Sequence, residues 1–223
     1  MNKFKMNKYK NMFLIIIVFT LFLGEIVLVN NSYFINIDNN VYNIIKTIIN
    51  DRNTIIFKAF SFLGTEIFVI ILCIILIVIK KGRGVAFTAI MFVSTLLTQA
   101  IKIIIARPRP NINPLAIENS YSFPSGHTVT IVVLVGILLF WLWQEKGSKK
   151  NKEDKNKKLC KKIILTIILI FIAFNVMLSR IYLGVHYFSD ILAGITFGIF
   201  YLLSTHYYIY NYEKVPLPFK IKK

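Results

Sequence analysis

Residues 179–190 read SRIYLGVHYFSD, and their flanks decide the fold. Before them stands KKIILTIILIFIAFNVML and after them ILAGITFGIFYLLSTHYYIY. Each flank is apolar enough to cross a bilayer, which takes about 20 residues of helix. Between the two crossings sit Arg180, His186 and Asp190. Ionisable groups at the edge of a hydrocarbon layer are costly there, and they mark function by default.

Working outward, the same texture repeats. Runs at 12–29, 85–105 and 162–178 qualify as spans, and shorter or more mixed runs at 65–79, 128–143 and 191–207 bring the number to six. With 56% hydrophobic residues in a chain of 223, an ordinary soluble domain is excluded. The expected fold class is all-α: one polytopic membrane domain over 1–223. The first run follows Lys3, Lys5, Lys8 and Lys10 but continues to Val29 without a small-x-small cleavage site. It reads as an uncleaved anchor rather than a signal peptide. Glu25 within it is expected to face other helices or lie near the outer interface. Cys73 and Cys160 fall in an apolar run and a basic loop, which suits neither a disulfide nor a metal site.

A net charge of +17 raises the question of nucleic acid, and its distribution answers against it. Twenty of the 27 basic residues lie before the first span, after the second, between the fourth and fifth, and after the sixth. Six alternating spans place all of these on one side, as the positive-inside rule requires of the cytoplasm. The expected location is the plasma membrane, with cytoplasmic tails at 1–11 and 211–223 and a basic cytoplasmic loop at 145–162. On the outer side, Val41, Ile44, Ile45, Ile48, Ile49, Ile55 and Ile56 recur at helical spacing. This predicts an amphipathic interfacial helix over 38–60, begun by Asp38 or Asn39, serving as a connector or a substrate gate.

Three other segments fall on that outer face. KIIIARPRP ends the third span at Lys102–Pro110, and its prolines stop the helix and hold the chain extended. SFPSGHT opens the fourth span, with Ser125 as a helix cap and Gly126 offering backbone N–H groups to an anion. The third segment is the one quoted first. Together they bring Lys102, Arg109 and Arg180 beside His127, His186 and Asp190. Three converging cations call for an anion, and Arg and Lys are the usual partners of phosphate oxygens. Two histidines can divide the labour of nucleophile and general acid. Asp190 stands four residues after His186, so one helical turn lets it accept the Nδ1 proton and leave Nε2 free to attack.

These blocks resemble the three signatures of the type 2 phosphatidic acid phosphatase (PAP2) superfamily: K-x6-R-P, P-S-G-H and S-R-x5-H-x3-D. Lys102, Arg109 and Pro110 fit the first, Pro124 through His127 the second, and Ser179, Arg180, His186 and Asp190 the third. All three occur in order, each at a span boundary, and the resemblance runs from the first span to the sixth. It implies a bacterial integral membrane lipid phosphatase that needs neither metal nor cofactor. In that scheme His186 forms a phosphohistidine, Asp190 orients it, and His127 protonates the leaving oxygen. Lys102, Arg109 and Arg180 hold phosphate oxygens with help from Ser125 and Gly126.

Other residues are less determined by the sequence. Arg107 is either a supporting contact of the site or an interfacial arginine, and Glu66 caps a helix or lines an opening, the cap being favoured. His206 belongs to an aromatic interfacial belt, and Tyr182 and Tyr187 pack the site. An outward-facing site suggests undecaprenyl (polyprenyl) diphosphate as the substrate. Phosphatidylglycerophosphate, phosphatidate and lipid A phosphate are alternatives, as are phosphotransfer to an acceptor lipid and a non-enzymatic lipid or anion transporter.

Overall fold

The computed structural model describes residues 8–144 and 152–211. Within them the chain forms eight helices and no strand: α1 (Lys8–Asn30), α2 (Ile35–Lys46), α3 (Asp51–Phe62), α4 (Glu66–Lys80), α5 (Gly82–Ile105), α6 (Gly126–Gln144), α7 (Lys152–Tyr182) and α8 (Phe188–Asn211). The all-α, multi-pass architecture expected from the apolar runs is what the chain adopts.

Five helices, α1, α5, α6, α7 and α8, are long and apolar enough to cross a membrane. α4, with 15 residues, is not. At 1.5 Å per residue it covers about 22 Å of a hydrocarbon core about 30 Å thick. It makes a sixth crossing only together with α3, from which it is bent by 45°. The core centres on α6, which packs against α5, α7 and α8, while α1 leans on α8 and α3 on α7. Val129, Ile131, Val133, Leu134 and Ile137 of α6 are buried, whereas Ile16, Ile70, Phe92 and Phe171 on the outer helices are exposed. That inversion of the soluble pattern suits a lipid surround. Glu25 faces inward as one of its two expected placements had it, accepting the hydroxyl proton of Thr196 on α8.

Three boundaries differ from the sequence reading. The single helix expected over 38–60 is two helices, α2 and α3, broken at 47–50. Asn50 makes the break: its backbone is extended, its Oδ1 accepts from Asn53 N at 2.9 Å, and its N–H donates to Tyr182 Oη at 3.2 Å. A new N-cap anchored to α7 restarts the helix despite the continuous apolar spacing. Asp38 does not begin α2, which starts at Ile35; its carboxylate is taken by residues of the site. Residues 152–162, expected in the loop 145–162, are already α7. Lys, Glu and Leu favour helix, and no Gly or Pro intervenes between Gly147 and Gly184. The remaining loop positions 145–151 and the tail positions 1–7 and 212–223 lie outside the described residues.

Candidate active site

Four helix ends and one surface helix meet at one end of the bundle. α5 stops at Ala106, which takes a left-handed conformation with its N–H on Lys102 O at 2.9 Å. Pro108 and Pro110 then keep the chain from resuming a helix. α6 begins after Pro124, and α7 ends in a turn whose Gly184, at φ +70°, takes a conformation other residues adopt with strain. α8 starts two residues after His186.

This junction brings the sequence-selected residues together. His186 Nδ1 lies 3.3 Å from Asp190 Oδ2, the pairing expected from the four-residue spacing. Arg109 Nη1 lies 3.3 Å from His186 Nε2 and donates to Val185 O at 2.7 Å. A guanidinium has only donors, so Nε2 must be the acceptor, and Nδ1 carries the ring proton and donates a hydrogen bond to Asp190. Burial, reinforced by Arg180, Lys102 and Arg109, holds His186 well below the usual imidazole range. The ring is therefore neutral, with its buried Nε2 lone pair aimed at Arg109.

A cavity of about 380 Å³ opens in front of it, lined by Lys102, Arg109, Glu118, Gly126, His127 and His186. Lys102, buried on α5, directs Nζ to the carbonyls of Tyr121 and Ser122. Arg180 is buried at the end of α7 and donates to Ser61 Oγ and to Glu118 Oε1. Among the described residues its Nε has no partner, nor has Ser125 Oγ. Ser125 stands at the cap position of α6, yet its N–H is committed to Asp190 O at 3.1 Å, and Gly126, the first residue of α6, lines the cavity.

Several residues of the site carried no signal in the sequence. Glu118, from the irregular segment between α5 and α6, pairs with Arg180 and lies 3.7 Å from Arg109 Nη2. A carboxylate thus sits among the cations that would otherwise face a phosphate. Asp38 reaches in from α2, and Ser61 from α3. Arg107 is a supporting member of the site, donating to Asp190 Oδ1 at 2.6 Å. The cap of α4 is Thr65, whose Oγ1 accepts from Phe68 N, while Glu66 beside it lines the cavity. Tyr182 packs on Phe57 and Tyr187 under Arg107. His206 meets Phe140 edge-on, away from the site.

A multi-pass helical membrane protein with a neutral histidine at a cavity lined by Lys102, Arg109 and His127 is the class these features define. The chain belongs to the PAP2 superfamily, whose model matches residues 83–214, more than half its length. Phosphatidylglycerophosphatase B of Bacillus subtilis is 32% identical over 120 residues, 54% of this chain and 55% of that protein. The chain thus matches about half the length of that curated relative. Among solved structures, the transmembrane PAP2-type phosphatidylglycerolphosphate phosphatase from Bacillus subtilis superposes with a TM-score of 0.74 at 24% identity, covering 91% of this chain and 98% of that one. Aquifex aeolicus LpxE gives 0.57 at 23% identity, covering 75% and 93%. Both structures share the fold.

Proposed function

We propose that the protein is a metal-independent membrane lipid phosphatase acting through a phosphohistidine. The observation that carries this reading is His186, neutral and backed by Asp190, with its Nε2 in contact with Arg109 at the wall of a cation-lined cavity. In the reaction, Nε2 attacks phosphorus, the N–P bond forms and the P–O bond to the lipid breaks. His127, protonated once the substrate's negative charge is bound beside it, gives that proton to the departing oxygen. Water then attacks the phosphohistidine, His127 takes back a proton, and inorganic phosphate leaves. Lys102, Arg109 and Arg180 hold the non-bridging oxygens, with Ser125 Oγ and the Gly126 N–H as additional donors. Removing one such preset donor costs about 10²–10³-fold in kcat.

The substrate reading favours a phosphomonoester of a glycerophospholipid, phosphatidylglycerophosphate first. The curated relative carries that activity in its name. Undecaprenyl diphosphate is the second reading, supported by the charge asymmetry that assigns the tails to the cytoplasm and the site to the outer side.

Phosphate release by the purified protein in detergent tests both. Phosphatidylglycerophosphate, phosphatidate, undecaprenyl diphosphate and a lipid A phosphate are compared by kcat/KM. The first is expected to lead. A lead for the diphosphate would replace the substrate reading, and no release from any lipid would favour a transporter.

A further inference from the structure

The catalytic scheme leaves unused a cluster behind Asp190. Arg107, on the extended segment after α5, is nearly buried and forks between two buried carboxylates. Nη1 donates to Asp190 Oδ1 at 2.6 Å and to Ser189 Oγ at 2.8 Å; Nη2 donates to Asp38 Oδ2 at 2.9 Å. Asp38 also accepts from Ser189 N at 2.8 Å and from Ser189 Oγ at 2.7 Å. The Tyr187 ring lies against the guanidinium, 4.0 Å from Cζ to the ring centroid. Asp38's two bonds with Ser189 tie α2 to α8, and Arg107 links that pair to the segment after α5 and to Asp190. A lysine ammonium, a point donor, does not reproduce this planar fork.

The consequence falls on His186. With Oδ1 held by Arg107, Asp190 turns Oδ2 to Tyr187 N at 2.9 Å and to His186 Nδ1. Without the cation, Asp38 and Asp190 would be two buried carboxylates that have lost the guanidinium they share. Asp190 would then rotate away or take up a proton. A protonated Asp190 donates to Nδ1, which moves the ring proton to Nε2 and removes the attacking lone pair.

We propose that Arg107, fixed in place by Asp38, is a positioning residue that keeps Asp190 an acceptor for His186, and that the surface helix α2 is thereby part of the catalytic machinery. The inference rests on the phosphatase reading above.

The test is steady-state kinetics of the purified full-length protein on phosphatidylglycerophosphate and phosphatidate. Arg107→Gln is expected to lower kcat on the order of 100-fold with KM within about twofold, the pattern of a group acting on the transition state rather than on binding. Arg109→Gln, by contrast, is expected to raise KM as well. Asp38→Asn keeps the acceptor for Ser189 N and is expected to lower kcat about tenfold, with no further loss when added to Arg107→Gln. Arg107→Lys is expected to recover only part of the rate. Should Arg107→Gln fail to insert, Asp38→Asn decides by the same split. Wild-type kcat in a folded variant, or a loss confined to KM, would overturn the inference while leaving the phosphatase reading intact. An inactive wild type would sink both.

Discussion

At the scale of single residues, the site is defined by which nitrogen of His186 carries its proton. The lone pair faces Arg109 and the N–H faces Asp190, and burial among cations keeps the ring from a second proton. The chain has three histidines, which makes imidazole ¹⁵N NMR in detergent tractable. His186 is expected to remain the neutral Nδ1–H tautomer as the pH is lowered through 6.5, its ordinary value. An imidazolium signal appearing at that pH would contradict this environment. Glu118 is the residue the sequence hid most completely. It stands in a loop with no motif around it, and only the path of the chain between Pro110 and Pro124 brings it onto Arg180. In the proposed reaction its carboxylate would compete with the substrate phosphate for Arg180 and Arg109. Glu118→Gln is expected to lower KM roughly fivefold, about 1 kcal/mol of competing ion pair. A raised KM would show that Glu118 binds substrate instead.

At the scale of elements, legibility followed from how local the cause was. Prolines at 108, 110 and 124 and the apolar runs act on their own neighbourhoods, so the ends of α5 and α6 could be read directly from the chain. The His186–Asp190 pairing was likewise legible, because a spacing of four is a property of one helical turn. The break between α2 and α3 was not. Its cause is Tyr182, 132 residues away, whose hydroxyl engages Asn50. Nor was the tight α3–α4 turn. A Cβ on Gly64 would stand 2.9 Å from His127 Cδ2 and 2.9 Å from Val176 Cγ1. No side chain fits there unless the histidine moves. Gly64→Ala is therefore expected to fold and bind substrate but to lose kcat by about 10²-fold, the scale of a 1 Å misplacement of a reacting group. Wild-type kcat in this variant would mean that the position of His127 is not critical.

At the scale of the whole molecule, the eight helices place the cation cluster at one end of the bundle and the lysine-rich start of α7 at the other end of that long helix. By the positive-inside rule, the lysine-rich end is expected on the cytoplasmic side and the cation cluster on the outer side. Cys160 is exposed and free, near the basic start of α7, while Cys73 is buried. In the wild type, an impermeant maleimide is expected to label Cys160 only after the membrane is opened. Asn113→Cys in a chain with Cys160→Ser is expected to label on intact cells. The reverse pattern would put the site in the cytoplasm and remove the argument for an outer-leaflet substrate.

The proposed function turns on a covalent bond between phosphorus and His186. The most direct measurement supplies the purified protein with a lipid whose terminal phosphate carries ³²P, quenches during turnover, and follows label on the polypeptide. The account predicts a protein-bound label that is stable to alkali and lost in acid, as a phosphoramidate is. It should be present in the wild type, absent in His186→Ala and unaffected by EDTA. Turnover of the lipid with no labelled protein at any quench time, or labelling that survives in His186→Ala, would contradict it.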